Sequence, residues 1–146
     1  MRVVPLVLMS VTLAACHTAP AKPQASDAWI RLPAVPGRPG AAYFTLTGGK
    51  SDDALVGVST PAAARSELHE SMKNDAGMMT MQALKSVRLA AGATVKFAPG
   101  ARHVMLFDIG DDVRPGGSVP MTLTLASGAT VKASAHVVAA GQDAPD

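Results

Sequence analysis

Two histidines and two methionines, His69, Met81, His103 and Met105, carry the side chains of this sequence best suited to holding a metal ion. Imidazole nitrogen and thioether sulfur together favour a soft monovalent ion, and copper(I) is the natural guest. A thioether is neutral, polarisable and has no proton to lose, so it discriminates against harder ions such as Mg²⁺ or Ca²⁺. Beyond the first fifteen residues every methionine except Met121 falls between Met72 and Met105: Met72, Met78, Met79, Met81 and Met105, with His69 just before them and His103 among them.

Spacing suggests how the four residues meet. His103 and Met105 alternate in a strongly β-forming run, His-Val-Met-Leu-Phe, so both project from one face of a strand. Residues 66–72 and 78–84 flank a polar connection, 73–77, of a length usual for a hairpin. Pairing Met72 with Met78 sets His69 directly opposite Met81, where Cβ atoms stand about 5 Å apart. One hairpin then offers a His and a Met, one further strand offers a Met and a His, and a single sheet contact completes an N₂S₂ set. On spacing alone the alternative stays open that these are hydrogen-bonded histidines and core-filling methionines. Met72, Met78 and Met79 read as apolar surface at the hairpin tip or as auxiliary thioethers, with Met72 and Met79 the candidates for exchange with the main set. His136 and Met121, in strand runs without ligand neighbours, read as ordinary partly buried and core residues, and Trp29 as a packed core aromatic.

The elements that must position these residues read as strands. Thirteen Gly and eleven Pro punctuate many short alternating apolar runs, and no segment keeps a helical apolar period for three turns. Strands are expected at 28–32, 41–47, 54–60, 66–72, 78–84, 87–89, 94–97, 103–109, 118–125 and 130–138. Gly, Pro and Asp turn residues separate them. The expected fold class is all-β, a Greek-key sandwich of two sheets.

The N-terminus reads as an export signal: Arg2, an apolar run through Ala15, and Leu13-Ala14-Ala15-Cys16 at its end. Small residues before the only cysteine resemble the lipobox of bacterial lipoproteins, in which the cysteine is lipidated and becomes the mature N-terminus. The chain therefore divides into a lipoprotein signal peptide at 1–15 and lipidated Cys16 with a flexible tether at 16–27, His17 among its solvated residues. A β-sandwich domain at 28–140 and a disordered tail at 141–146 follow. Such a chain is held on a membrane of a Gram-negative envelope and faces the periplasm.

Lys and Arg number thirteen against eleven Asp and Glu and are scattered, so no basic patch points to nucleic acid. No Gly-x-Ser-x-Gly, His-Glu-x-x-His or Cys-x-x-Cys motif is present, and the only glutamates, Glu67 and Glu70, fall on opposite strand faces. A carrier rather than an enzyme is expected. The alternatives are an electron-transfer cupredoxin, weakened because a blue-copper site takes its character from a Cys thiolate, and a structural lipoprotein domain without metal.

Ser66-Glu67-Leu68-His69-Glu70, then Met79-Thr80-Met81, then Pro99 to Leu106 with its His103-Val104-Met105, resemble the periplasmic copper chaperones of the PCuAC type. That family's signature is a His, a Met and a His-x-Met with gaps of ten and twenty-one residues; here the gaps are eleven and twenty-one. The extra residue is expected to enlarge the hairpin tip from four residues to five while His69 stays opposite Met81. Ala28-Trp29-Ile30-Arg31, Ala41 to Leu46 and Asp53 to Val58 extend the resemblance over most of 28–138. It implies a cupredoxin-like β-sandwich binding one Cu(I) through His69, Met81, His103 and Met105. It also implies a partner, the copper-site subunit of cytochrome c oxidase or another copper chaperone.

Overall fold

The computed structural model describes residues 19–145, so the export signal, Cys16 and His17 lie outside the described residues. Ten strands follow in chain order. β1 (Gln24–Arg31), β2 (Gly40–Thr47), β3 (Asp53–Ser59), β4 (Ala63–Lys73) and β5 (Met79–Leu84) make up the first half. β6 (Val87–Leu89), β7 (Thr94–Phe97), β8 (Arg102–Ile109), β9 (Ser118–Leu125) and β10 (Thr130–Val138) complete it. All ten expected strands are present. β1 begins at Gln24 rather than at residue 28, because Gln24, Ala25 and Ser26 pair with Thr47, Leu46 and Thr45, so the last part of the expected tether is strand.

Hydrogen bonding runs through the strands in the order β5-β4-β8-β2-β1-β10-β9-β3-β6, with β7 joined to the free half of β2. β1 and β10 are parallel and the other pairs antiparallel. The sheet folds over on itself, because Leu68, Val104 and Leu106 from one end of that path share a single buried cluster with Leu55, Val87, Leu89 and Leu123 from the other. Alternation decides which residues enter: along β9, Met121, Leu123 and Leu125 are buried while Thr122 and Thr124 are not. Met121 is thus a core residue, as expected. Trp29 is buried in a smaller cluster with Tyr43 and Val138, its ring 4.4 Å from that of Tyr43.

The tail expected to be disordered is tied down as far as residue 143. The Arg31 Nε–H donates to the Gln142 carbonyl (2.7 Å), Gln142 Oε1 accepts from the Ala139 N–H (2.9 Å), and the Asp143 carboxylate stands 3.6 Å from Arg31. β5 closes one end of the sheet, with β4 as its only strand neighbour among the described residues, and every residue from Met79 to Ala83 is exposed.

Candidate metal centre

The β4–β5 hairpin sets half of the centre, and its register differs from expectation. Lys73 pairs with Met79, Met72 with Thr80, Ser71 with Met81, and His69 with Ala83. His69 is therefore not opposite Met81. The cause is a tighter tip than the sequence suggested. Asn74 N–H donates to the Met78 carbonyl (2.9 Å), Gly77 N–H to the Asn74 carbonyl (2.8 Å), and Asn74 Oδ1 accepts from the N–H groups of Ala76 and Met78. Gly77 sits at φ +78°, the left-handed conformation that closes a three-residue hairpin loop. The loop is thus residues 75–77, and the strands stay paired beyond the expected 73–77 connection. The partner of His69 moves by two residues, an even step, so Met81 keeps the face of His69. It stands diagonal to His69, at roughly 7–8 Å, within reach of a long thioether.

β8 supplies the other half. It pairs with β4 so that His69 faces His103 and Glu67 faces Met105, and with β2 so that Met105 also faces Ala41. The two imidazole rings are 5.9 Å apart between centroids. An ion held by one nitrogen of each ring would fit between rings at this separation.

Each ring has one nitrogen occupied. His103 Nδ1–H donates to the Ala101 carbonyl (3.0 Å), which leaves Nε2 with a free lone pair. His69 Nε2–H donates to Glu67 (3.0 Å), and its Nδ1 is buried with no hydrogen-bond partner among the described residues. A buried imidazole nitrogen without a partner costs stability unless something coordinates it.

Met81, His103 and Met105 line one open groove of about 300 Å³ with Ser71, Tyr43 and Arg31. His69 is not among the groove residues and joins the set through its ring-to-ring contact with His103. Among the described residues no three His, Cys, Asp or Glu side chains are grouped to hold a metal, so a full ligand set at this edge draws on thioether sulfur.

The remaining candidates separate by face. Met79 lies opposite Lys73 on the face of His69 and Met81, while Met72, opposite Thr80, lies on the reverse face with Glu70. Met72, Met78, Met79 and Met81 are all exposed. Glu70 pairs with Arg102 (3.1 Å) and takes no part on the ligand side. His136 pairs with Trp29 and Ser118 in the sheet and lines a separate groove near the C-terminus.

Three groups escaped the sequence reading. Glu67 was legible, since two residues before His69 on a strand means the same face. Arg31 and Tyr43 reach the groove from distant strands, and no local pattern marks them. The Arg31 guanidinium lies 5.1 Å from the Trp29 ring and 5.7 Å from that of Tyr43. Burial pushes the Tyr43 phenol above its ordinary range, with the charge of Arg31 pulling the other way.

The model of the LpqE-like lipoprotein family matches residues 24–137, from the first residue of β1 to the last strand. The chain belongs to this family. A relative described as a putative lipoprotein, Lxx21020 of Leifsonia xyli subsp. xyli, is 33% identical over 108 residues, which cover 73% of this chain. The chain spans 64% of that relative's length.

Among solved structures, the copper-bound PCuAC domain from PmoF2 superposes with a TM-score of 0.66 at 24% identity, covering 83% of this chain and 96% of that one. The solution structure of CuI-DR1885 from Deinococcus radiodurans gives a TM-score of 0.61 at 27% identity, covering 86% of this chain and 83% of that one. The apo PCuAC domain from PmoF1 gives 0.63 at 25% identity, with 79% and 92% covered. The fold of this LpqE-like chain is the cupredoxin-like β-sandwich of PCuAC domains.

Proposed function

We propose that this LpqE-like protein is an envelope copper chaperone that binds one Cu(I) through His69, Met81, His103 and Met105 and hands it to an acceptor. The observation that carries this reading is the pairing of His69 with His103 on one face, each ring with a nitrogen free, beside Met105 and within reach of Met81. Two solved relatives of the same fold, the PmoF2 domain and DR1885, are copper-bound and Cu(I)-bound respectively, which supports copper as the cargo.

The ligand chemistry suits a carrier. Neutral thioethers hold Cu(I) without the charge of a thiolate, which would retain the metal more firmly and is open to oxidation. The only cysteine is Cys16, outside the domain, so the site has no blue-copper thiolate. Met81 is 61% exposed on an edge strand, so a partner's ligand can reach the ion before the chaperone's own ligands leave. The acceptor is the copper-site subunit of cytochrome c oxidase or another copper chaperone. Met79, on the ligand face, serves as an auxiliary thioether; Met72, on the reverse face, does not reach the set in this hairpin geometry.

Cys16 carries the lipid anchor in this reading, which places the domain on a membrane facing the periplasm, and residues 17–23 are its tether. Loading the domain with reduced copper should give one Cu(I) per chain by metal analysis, and no binding would sink the chaperone reading. Fractionation of cells expressing wild type and Cys16→Ser should show only the wild type on membranes. Equal amounts of both in the soluble envelope fraction would remove the anchor.

A further inference from the structure

We propose that Glu67, braced by Arg65, is a positioning residue that selects the tautomer of His69 and thereby makes Nδ1 its metal-binding atom. The inference rests on the copper-site reading above and adds to it which nitrogen binds and what holds it ready. Arg65, Glu67 and His69 alternate along β4, so all three stand on one face. Glu67 uses both carboxylate oxygens: Oε2 accepts from His69 Nε2–H at 3.0 Å, and Oε1 accepts from Arg65 Nη1. Arg65 is held in turn, its guanidinium 3.8 Å from the centroid of Phe107, its cross-strand partner on β8. A chain of contacts therefore runs from β8 back to β4 and ends on the ring of His69.

The alternative tautomer fails on both nitrogens. A proton on Nδ1 would sit buried without an acceptor, because that atom has no partner among the described residues. The lone pair left on Nε2 would face a carboxylate oxygen at 3.0 Å, where two acceptors repel. With the proton on Nε2 both conflicts vanish and the Nδ1 lone pair is available. His103 shows the mirror arrangement, with Nδ1–H on the Ala101 carbonyl and Nε2 free. The two histidines thus offer different nitrogens, each fixed by a partner outside the ligand set. Carboxylate–histidine–metal arrangements of this kind orient the ring and raise its basicity.

The test reads the tautomer in the metal-free protein and Cu(I) affinity separately. Long-range ¹H–¹⁵N spectra of the apo domain should show His69 protonated at Nε2 in wild type and in Glu67→Gln, whose amide oxygen can still accept, and a mixture in Glu67→Ala. Competition with a chromophoric Cu(I) chelator should then show Glu67→Ala weakened about 10–100-fold and Glu67→Gln within about threefold of wild type. His69 protonated at Nδ1 in wild type, or Glu67→Ala with unchanged tautomer and affinity, overturns the proposal. If wild type binds no Cu(I), the chaperone reading falls, while the tautomer spectra still judge the part played by Glu67. Glu67 is a partly exposed strand residue, so its variants keep the fold, and the Gln variant controls for loss of side-chain volume.

Discussion

The two halves of the proposed metal centre are built to different standards. His103 and Met105 stand on β8, which is paired on both sides, by β4 and by β2; His103 is 7% exposed and one of its nitrogens is already tied to the backbone. Met81 stands on β5, which among the described residues has a neighbour on one side only and exposes nearly its whole length. On the β8 half the His103 ring is held by burial and by its bond to the Ala101 carbonyl, and the strand that carries Met105 is paired on both sides. The β5 half is a flexible thioether on an open edge. A carrier needs both: a rigid half confers affinity without ordering cost, and a loose half permits release.

The largest test of that contrast is His103→Ala. Removing a ligand from the rigid half should weaken Cu(I) by more than about 100-fold, beyond the 10–100-fold typical of losing an outer partner. Affinity equal to wild type in a chelator competition would falsify the site.

On the loose half the expected effects are smaller and graded. Met81→Leu should cost about tenfold in affinity, Met79→Leu about threefold or less, and Met72→Leu almost nothing, because Leu keeps the apolar volume and removes only the sulfur. If Met72→Leu proves the most damaging of the three, the hairpin faces are assigned wrongly and the comparison fails.

The hairpin tip offers a purely structural lever on the same half. A Cβ on Gly77 meets nothing within 4 Å, so Gly77→Ala carries only the strain of a left-handed backbone, about 1–2 kcal/mol. Hydrogen exchange should quicken across β4–β5 while β8 amides remain protected. Equal loss of protection in β8 would show that the halves are one unit.

A small effect on stability is expected at the opposite end of the sheet, away from both halves. Asp53 accepts from Ser127 Oγ (2.5 Å) and from the N–H groups of Ala54 and Ser127, and these bonds, the Ser127 hydroxyl first, hold its carboxyl below the ordinary 3.8. Its folded-state pKa is depressed, so its contribution is complete above about pH 3.8 and is lost as pH falls through the lower folded value. Asp53→Ala should therefore lower the melting temperature slightly at neutral pH and show a smaller further loss below about pH 4 than wild type. An identical acid profile in the two proteins would assign that loss elsewhere.

Much of this was readable from residue order. The ten strands followed from alternation and turn residues, since a half-buried strand writes its period of two directly into the sequence. The shared face of His103 and Met105 followed from the same rule. The face of Met81 also survived, but only because the hairpin slipped by an even number of residues. Which residue stands opposite His69 depended on the tip, where Gly77 and the Asn74 side chain outweighed the apparent polar loop at 73–77.

Sequence by itself determined which soft donors are on offer, imidazole nitrogen and proton-free thioether sulfur, because these reside in the side-chain atoms of His and Met. Tertiary structure alone decided that His69 meets His103, that Arg31 and Tyr43 wall the groove, and that one buried nitrogen of His69 is left open. Strand pairing across more than thirty residues carries no local signature: the order β5-β4-β8-β2 is chosen by burial of Leu68, Val104, Leu106 and Ala42 in a common core, and the proposed ligand face is what that choice leaves on the other side.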